Sequence, residues 1–415
     1  MTAWGILAPE EMMSTRRQQD LGLGAAVRYF NDRAVPGIGG LWFPMPLVWS
    51  VMAIAVADRL KEKSLTAANP LTVANAIEAR MMLSAIEGRV KGDPRLRGMQ
   101  KLSGRKPNES YAALSRRGAY VVQPLRMGMI QPLVSLGFAT GGRYGALRLD
   151  THGERMMALG QMDEHARSLK GWVTASRAKP SRSVIEALSP LASVPREINA
   201  LIRARIFDGE GGDARRRHAL RQLGTGPNAE ILDRDDRPGE IDRDHWRDMR
   251  AGAAFIDLRD AALDALWQAE GFVVRRREVG DKEATPPQVA EAARESLATL
   301  RDLAKEIRPR IVEAGERTSI AFAKDCAEVE DATLIFMLVK RDGSALRLVD
   351  DRIVPGPAAR DIHDTEGSED TGAATADTSA FAPQLHRLYN LYCLAQELGG
   401  APNPHIEREE VPDDE

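Results

Sequence analysis

The chain has 415 residues, 43% of them hydrophobic, and a formal net charge of −3, so it is long enough for two or three domains. Its two cysteines are too few for a disulfide framework, and neither has the neighbouring Cys or His that a zinc site needs. The first residues lack the charged start and long apolar run of a secretory signal. We therefore expect a cytoplasmic protein without a cofactor, in which abundant Ala, Leu and Arg favour helices.

The most apolar stretch is Leu41–Ala57, which lies within residues 34–57, a segment without any charge. A helix that is apolar on every side is buried, either in lipid or in a large core. A membrane span needs about 18 to 20 apolar residues, which makes this segment marginal, and it also contains Pro44 and Pro46. We therefore predict the central helix of an N-terminal domain, ending where charge returns at Asp58.

Helices are predicted before and after this central helix. Residues 9–33 have the pattern of two short helices, and their glycines lack the preceding strand of a phosphate loop. The Asn-Pro pair at 69–70 combines a cap with a favourable first helical position, so a helix is predicted from there to about Val90. Glu78 and Glu87 flank its apolar stripe and are interpreted as ordinary solvated charges. The predicted buried stripe comprises Val73, Ile77, Met81 or Met82, and Ile86.

A basic segment, Lys91–Lys106, follows and contains the single acid Asp93. Its glycines predict a loop. A basic loop in a weakly acidic protein can contact a phosphate backbone. The alternative is a solvated loop that faces acids elsewhere in the chain. The candidate nucleic-acid contacts in this segment are Arg95, Arg97, Lys101, Arg105 and Lys106.

Residues 109–159 resemble a winged helix-turn-helix. Two predicted helices, Ser110–Arg117 and Arg126–Leu136, are followed by a turn at Gly141–Gly142, a strand over Tyr144–Leu149 and a closing helix. In such a domain one helix enters the major groove and the wing touches the backbone. Winged helices also serve as protein-docking modules, so that alternative stays open. The arginines near the predicted groove and wing are Arg116, Arg117, Arg126, Arg143 and Arg148.

Residues 161–223 are predicted to continue as helices. Arg203 and Arg205 precede a second basic cluster, Arg215–His218 with Arg221. His152, at the start of the closing helix, is interpreted as a capping or surface residue rather than a ligand. Beyond a polar linker, two heptad seams predict an antiparallel helical hairpin, packed internally or offered to a partner. The first seam comprises Trp246, Met249, Ala253, Ile256, Asp260, Leu263 and Trp267, and the second comprises Val289, Ala293, Leu297, Leu300, Ala304, Ile307 and Ile311.

The remainder contains an apolar run at Thr333–Lys340, which is either a strand or a buried helix, and a final helix at Pro383–Glu397. The predicted fold is mainly α, with a multi-helical N-terminal domain, a winged-helix-like segment and a helical-hairpin C-terminal region. The predicted regions are a helical N-terminal domain over 1–107, a winged-helix-like and helical segment over 108–223, a helical hairpin and apolar segment over 239–356, a disordered acidic linker over 357–382, and a C-terminal helix with an acidic tail over 383–415.

Several short motifs occur along most of the chain. They are Asp20–Gly24, Val27–Arg28, Val35–Gly37 with the apolar helix after it, Ala76–Ala79, Ser110–Leu114 with Gly118, and Leu388–Leu391. In this order they resemble an uncharacterised bacterial family of about this length, known only as a domain of unknown function. The chain departs from that pattern at Gly39–Leu41, where family members are more polar. The resemblance implies gene neighbours of the helicase and phospholipase D-like nuclease classes, in clusters of the antiviral-defence type. It implies no catalytic residues.

Together, the basic segments and the resemblance predict a non-catalytic DNA-binding or adaptor subunit of a bacterial antiviral-defence system. The expected partners are duplex DNA and protein subunits such as a helicase or a nuclease, without a membrane. One alternative is a scaffold that binds only protein, using the hairpin and the winged segment as docking faces. Another is an unrecognised metal-dependent nuclease, although the chain has no Walker loop, serine elbow or His-Glu zinc helix.

Overall fold

The computed structural model describes residues 21–61, 68–87, 93–102, 108–175, 179–222, 232, 236–278, 280, 283–359, 385–404 and 406. Within these residues the chain is mainly helical, which confirms the predicted fold class. Two compact units are present. Unit 1 falls within Met1–Phe30 and Trp246–Gly372, and unit 2 within Asn31–His245 and Ala373–Glu415.

The helices of the described residues are as follows in chain order. They are α1 Gly24–Ala34, α2 Met45–Lys61, α3 Pro70–Glu87, α4 Met99–Leu102, α5 Tyr111–Leu114, α6 Ile130–Ser135, α7 Thr151–Met157, α8 Met162–Thr174, α9 Arg182–Ala187, α10 Arg196–Phe207, α11 Gly212–Gln222, α12 Arg243–Glu278, α13 Pro286–Ala292, α14 Arg294–Ala314, α15 Arg317–Glu328, α16 Asp331–Asp342 and α17 His386–Leu398. Single 3-10 turns occur at Leu125–Gly128 and Tyr144–Ala146. Antiparallel ribbons pair β1 Ala139–Thr140 with β2 Arg148–Leu149, and β3 Leu346–Val349 with β4 Arg352–Pro355.

The buried helix of unit 2 is α2, as predicted. Every residue of Met45–Ala57 is buried, and the helix packs against α3 and α8. The indole Nε1 of Trp49 donates a hydrogen bond to the Leu188 carbonyl oxygen at 2.8 Å, so its one polar atom is satisfied inside the core. The helix continues past Asp58 to Lys61, because basic side chains are favourable at a helix C-terminus. Among the described helices, none combines the length and apolarity needed to cross a membrane.

The glycine-rich loop before α2 is held by a close backbone contact with the segment before α6. The Gly40 amide donates a hydrogen bond to the Gly128 carbonyl oxygen at 3.3 Å. At Gly39, whose φ is +53°, a Cβ would lie 2.5 Å from the same oxygen and 2.9 Å from Pro132 Cδ. A side chain at Gly39 is therefore excluded both by its backbone conformation and by this contact.

The C-terminal end of α1 collects side chains from distant parts of unit 2. The last carbonyls of a helix have no intrahelical partner, and here basic side chains supply one. The hydrogen bonds join Arg216 Nη1 to Arg33 O at 2.6 Å, His245 Nε2 to Ala34 O at 2.7 Å, and Arg217 Nη1 to Pro36 O at 2.8 Å. Next to them, Asp32 forms an ion pair with Arg387 of α17.

Because of these contacts, Arg216 and Arg217 of the second predicted basic cluster are engaged within the fold, whereas Arg215 is exposed. Arg217 is buried and also donates through Nε to the Ile206 carbonyl oxygen at 2.7 Å. Burial lowers the pKa of its guanidinium to about 10. Arg221 lies over the Phe207 ring, 5.5 Å from its centroid. These arginines therefore position helices of unit 2.

The segment predicted to be winged has the expected order of elements, but the elements are shorter. Instead of one helix over 126–136, a 3-10 turn precedes α6, which begins at Ile130. Pro132 explains this start, because proline is tolerated only in the first turn of a helix. The predicted strand over 144–149 is a 3-10 turn followed by β2, which makes two residue pairs with β1.

In unit 1, the prediction of the first heptad seam is correct only in part. Trp267, at its C-terminal end, exposes 47% of its surface. Seam residues that are buried are Trp246, Met249, Ala253 and Ile256. The residues of α12 in the core of unit 1 are Ala251, Ala254, Phe255, Leu258, Ala262, Ala265, Leu266, Ala269 and Val273. Apolar residues occupy more than one face of this helix, so the heptad spacing alone could not identify the buried one.

The second seam is confirmed, since all seven of its residues are buried in the core of unit 1. Val289 lies on α13, Ala293 lies between the two helices, and the other five lie on α14, which packs against α15. Phe322 of α15 meets Phe255 of α12 edge to face, with ring centroids 6.4 Å apart. The apolar run Thr333–Lys340 belongs to α16 and is helical, with Leu334, Ile335, Leu338 and Val339 buried.

The start of α13 is fixed by a capping box. Thr285 Oγ1 accepts a hydrogen bond from the Gln288 amide at 3.4 Å, and Gln288 Oε1 accepts one from the Thr285 amide at 2.9 Å. Replacing Thr285 with Ala is expected to destabilise unit 1 by about 1 kcal/mol, because the Gln288 amide at the helix start loses its side-chain acceptor. Urea unfolding followed by circular dichroism measures the loss. Thr299→Ala, at an exposed position inside α14, is the matched control and should be neutral or slightly stabilising.

The ribbon β3–β4 was missed from the sequence. Its turn residues, Asp350 and Asp351, have φ values of +47° and +61°, which place both in the left-handed region. That geometry suits a two-residue hairpin turn, and aspartate tolerates it better than most residues do. Without an Asn-Gly or Asp-Gly pair, the sequence carries only a weak signal for such a turn.

The final helix, α17, begins at His386 rather than Pro383. Leu385, Leu388 and Leu391 of its predicted face are buried, whereas Tyr392 and Ala395 are half-buried. The part of the predicted helical segment before Leu21, residues 360–382 of the predicted acidic linker and the acidic tail over 407–415 lie outside the described residues.

Candidate nucleic-acid interface

The described arginines of the basic segment are engaged within the fold. Arg95 forms a two-pronged contact with Asp93, with Nε 3.0 Å from Oδ1 and Nη2 2.6 Å from Oδ2. Arg97 donates through Nη1 to the Gln123 carbonyl oxygen at 3.1 Å. The Lys101 side chain lies outside the described part of the chain, as do Arg105 and Lys106.

Arg126 also has partners within unit 2. Its Nε and Nη2 lie 3.3 and 3.2 Å from Asn75 Oδ1, and its amide donates to Glu78 Oε2 at 3.2 Å. The amide group of Asn75 is at the same time a donor, through Nδ2, to the Leu114 carbonyl oxygen at 2.9 Å and the Arg116 carbonyl oxygen at 2.7 Å. Asn75 therefore joins the segment after α5 to the segment that carries Arg126.

The four remaining predicted arginines are exposed at the surface of unit 2. Arg116, Arg117, Arg143 and Arg148 make no side-chain hydrogen bond or ion pair with any residue that the structure describes. Arg148 differs from the others in its surroundings, because it shares a shallow groove with three carboxylates. These are Asp58, Glu154 and Asp163. An anion approaching Arg148 would meet acids as well, so the other three are better placed to bind phosphate.

The first two turns of α3 bring the segments of Arg116 and Arg143 together. Tyr111 of α5 donates a hydrogen bond to Thr72 Oγ1 at 3.0 Å, and the Arg116 carbonyl is held by Asn75. On the other segment, a Cβ at Gly145 would lie 3.6 Å from Asn69 Oδ1, so the 3-10 turn after Arg143 touches the start of α3. Asn69 and Asn75 are about 9 Å apart along a helix axis. Both arginine-bearing segments are therefore anchored on one short length of helix.

Behind this surface lies a buried carboxyl group, Glu78, which contradicts its interpretation as a solvated charge. Its side chain is 1% exposed. Its oxygens accept hydrogen bonds from the Tyr120 hydroxyl and from the Leu125 and Arg126 amides. Burial raises the pKa of Glu78, and the three hydrogen bonds oppose that effect. Burial of Tyr120 itself, together with the negative charge of Glu78, raises the pKa of the Tyr120 hydroxyl well above its usual value.

Glu78 therefore fixes the backbone of residues 120–126 against α3. This role could not be predicted from the sequence, because Tyr120 lies 42 residues further along the chain. A glutamate on the flank of an amphipathic helix has the same local pattern whether its partner is water or a buried tyrosine. The one available signal was its position between Ile77 and Met81, which are both fully buried.

Within the described ranges, no group of three or more His, Cys, Asp or Glu side chains is placed to hold a metal ion. Cys326 and Cys393 are both buried as thiols rather than joined in a disulfide. Burial raises the pKa of the Cys326 thiol to about 12, so this thiol is protonated at neutral pH.

No protein-family model, curated protein or solved structure matches this chain. The assignment of a function therefore depends on the residues of the chain itself. Their most distinctive surface feature is the group of exposed arginines around the start of α3.

Proposed function

We propose that this chain is a non-catalytic DNA-binding or adaptor subunit of a bacterial antiviral-defence system. The contacts with DNA are made by Arg116, Arg117 and Arg143, which we call the arginine face. The defence role, with a helicase or nuclease as the protein partner, is drawn from the resemblance of the sequence motifs. The observation that carries the DNA-binding role is that these three guanidinium groups are exposed, without an ion pair to any described residue, while the backbone beneath them is anchored on α3.

The chemistry of such a face favours phosphate contacts over base reading. Arginine offers a rigid fork of donors that matches phosphate oxygens, and an anchored backbone reduces the entropic cost of binding. Each phosphate neutralised releases counterions, which makes the affinity depend on salt. The arginine face is therefore expected to bind duplex DNA of any sequence.

The arginine face is tested by replacing Arg116, Arg117 and Arg143 with glutamine in one variant. We expect weaker binding to every duplex. The slope of log affinity against log salt should become shallower by roughly 0.9 for each phosphate that the variant no longer neutralises. The measurement is fluorescence anisotropy of a labelled duplex at several salt concentrations, with two unrelated sequences.

The matched control removes three positive charges from exposed positions elsewhere in unit 2, namely Arg167, Arg182 and Arg196, again to glutamine. Because both variants change the net charge equally, a general electrostatic effect would weaken both alike. Equal slopes for the two variants would count against the arginine face. If the wild-type protein shows no salt-dependent binding even at low salt, DNA binding is refuted.

A specific observation favours the second candidate function, a protein-docking scaffold. Val122 and Met127 expose 70% and 59% of their surface, on the segment that Glu78 fixes in place. Large apolar side chains on a rigid surface are typical of protein interfaces. Replacing both with serine should abolish binding of a partner protein under this function. The same change should leave DNA anisotropy unaltered if the arginine face acts alone.

A further inference from the structure

Arg205 of α10 is fixed in place with most of its donors unused. Its Nε donates a hydrogen bond to the Leu136 carbonyl oxygen at 2.9 Å, at the end of α6. The Nη1 and Nη2 groups have no partner among the residues that the structure describes. One hydrogen bond therefore orients the guanidinium, and its fork of two nitrogens is left for something else. The side chain is half-exposed, so a ligand from solvent can reach it.

The next residue, Gly137, brings a histidine beside this fork. A Cβ at Gly137 would lie 3.8 Å from Arg205 Nη2 and 3.9 Å from His152 Nε2. Both nitrogens thus lie within 4 Å of one point, which a side chain at residue 137 would occupy if that residue were not glycine. Its φ of +74° also favours glycine. The His152 amide donates to the Gly137 carbonyl oxygen at 3.3 Å, which ties α7 to the same turn.

The charges around His152 are mainly positive. Arg155, one turn along α7, and Arg205, from α10, both lower the pKa of the imidazole, after the larger effect of burial. Asp150, the residue that caps α7, acts in the opposite direction. Arg217 lies close enough to Arg205 for like-charge repulsion to contribute to its own lowered pKa. Asp213 acts on the Arg217 pKa in the opposite direction. A cluster in which cations outnumber the nearby carboxylates is stabilised by an added anion.

We propose that Gly137, His152 and Arg205 form a binding site for a phosphate group. Arg205 supplies the fork that fits two phosphate oxygens, and His152 Nε2 supplies a further donor when that nitrogen carries a proton. This site goes beyond the arginine face, since it uses other residues and can be filled by a free phosphate ion as well as by a phosphate of a nucleic acid.

The test is a histidine-selective NMR titration of the whole chain with inorganic phosphate, at constant ionic strength maintained with sodium chloride. The chain has seven histidines, and the His152→Gln variant identifies the His152 resonance. We expect the resonance to shift at millimolar phosphate and the His152 pKa to rise, because the bound dianion favours the protonated ring. Arg205→Gln should weaken the response about tenfold or more.

Arg203→Gln is the matched control, because it removes the same charge two residues away on α10 and should leave the affinity within about twofold. Thermal melts establish that each variant is folded. A labelled DNA duplex then distinguishes the two possible sources of the phosphate group, a nucleic acid and a free ligand. Competition between duplex and phosphate at His152 identifies a backbone phosphate, whereas a response to phosphate alone identifies a free phosphate-bearing ligand. If neither phosphate nor duplex moves the resonance, or if Arg205→Gln responds like the wild type, the site does not exist.

Discussion

Replacing Ile54 with aspartate is expected to unfold unit 2. Ile54 is fully buried in the middle of α2. Ser50 and Asp58 each lie four residues away along the helix, and both already have partners. The Ser50 hydroxyl donates to the Pro46 carbonyl oxygen at 2.7 Å, and Asp58 Oδ1 accepts from Lys61 Nζ at 3.1 Å. Burying a carboxylate among the apolar side chains of this helix costs several kcal/mol, a large part of the stability of a typical domain. The variant should therefore be insoluble, or should show a strongly lowered denaturant midpoint by tryptophan fluorescence.

Milder variants make this prediction quantitative. Ile54→Val removes one buried methylene and should cost about 1 kcal/mol, which chemical denaturation can resolve. Lys61→Ala, on the exposed end of the same helix, is the control and should change stability by less than about 0.5 kcal/mol. A folded Ile54→Asp variant with an unchanged midpoint would mean that α2 is not the core helix of unit 2.

Replacing Glu78 with glutamine is expected to weaken the attachment of residues 120–126 to α3. The amide keeps one oxygen acceptor but offers a donor where the carboxyl group accepts hydrogen bonds, so at least one of its three partners loses its acceptor. A buried donor without a partner costs about 1–3 kcal/mol. Hydrogen exchange followed by mass spectrometry should show faster exchange in residues 120–128, where the Leu125 and Arg126 amides donate to Glu78.

The pH dependence of the Glu78→Gln effect has a definite sign. Burial raises the pKa of Glu78 in the folded state above its unfolded value, so the folded protein binds more protons over the interval between the two. Stability from this group therefore increases as pH falls and decreases as pH rises through that interval. The wild type should gain stability relative to Glu78→Gln as the pH is lowered from 7 towards about 4.5.

Glu164→Gln is the control for both measurements, because Glu164 is exposed on α8 and makes no side-chain hydrogen bond or ion pair within the described residues. Its stability should differ little from that of the wild type at every pH. Exchange in residues 120–128 that is as slow in Glu78→Gln as in Glu164→Gln would show that Glu78 does not fix that segment.

Features whose cause lies within a few residues could be predicted from the sequence. The start of α3 is one example, because Asn69 Oδ1 caps the helix by accepting from the Leu71 and Thr72 amides at 3.0 and 3.1 Å. The burial of α2 is another, because a helix without a polar face has no stable exposed orientation. The second seam of unit 1 was also clear, since its apolar residues follow one stripe.

Features that depend on distant partners could not be predicted. A basic stretch gives no indication of which of its side chains will form hydrogen bonds with other residues of the fold. Arg97 and Arg126 are engaged by Gln123 and Asn75, whereas Arg116 is exposed with the same local composition. Arg205 and His152 are 53 positions apart in the printed sequence, and only the turn at Gly137 places them together.

The contacts at the end of α1 determine when unit 2 can be completed during synthesis. Asp32 is paired with Arg387, which lies 355 residues further along the chain. Residues Trp246–Gly372, which belong to unit 1, lie between these two residues in the sequence. On the ribosome, therefore, Gln131, which donates to Asp32 Oδ1 at 2.6 Å, is available early, but the ion pair with Arg387 can form only after the intervening residues have been translated. Helices α2 and α3 can form early, but this end of unit 2 closes only after α17 has emerged, so co-translational folding of the protein proceeds from an incomplete unit.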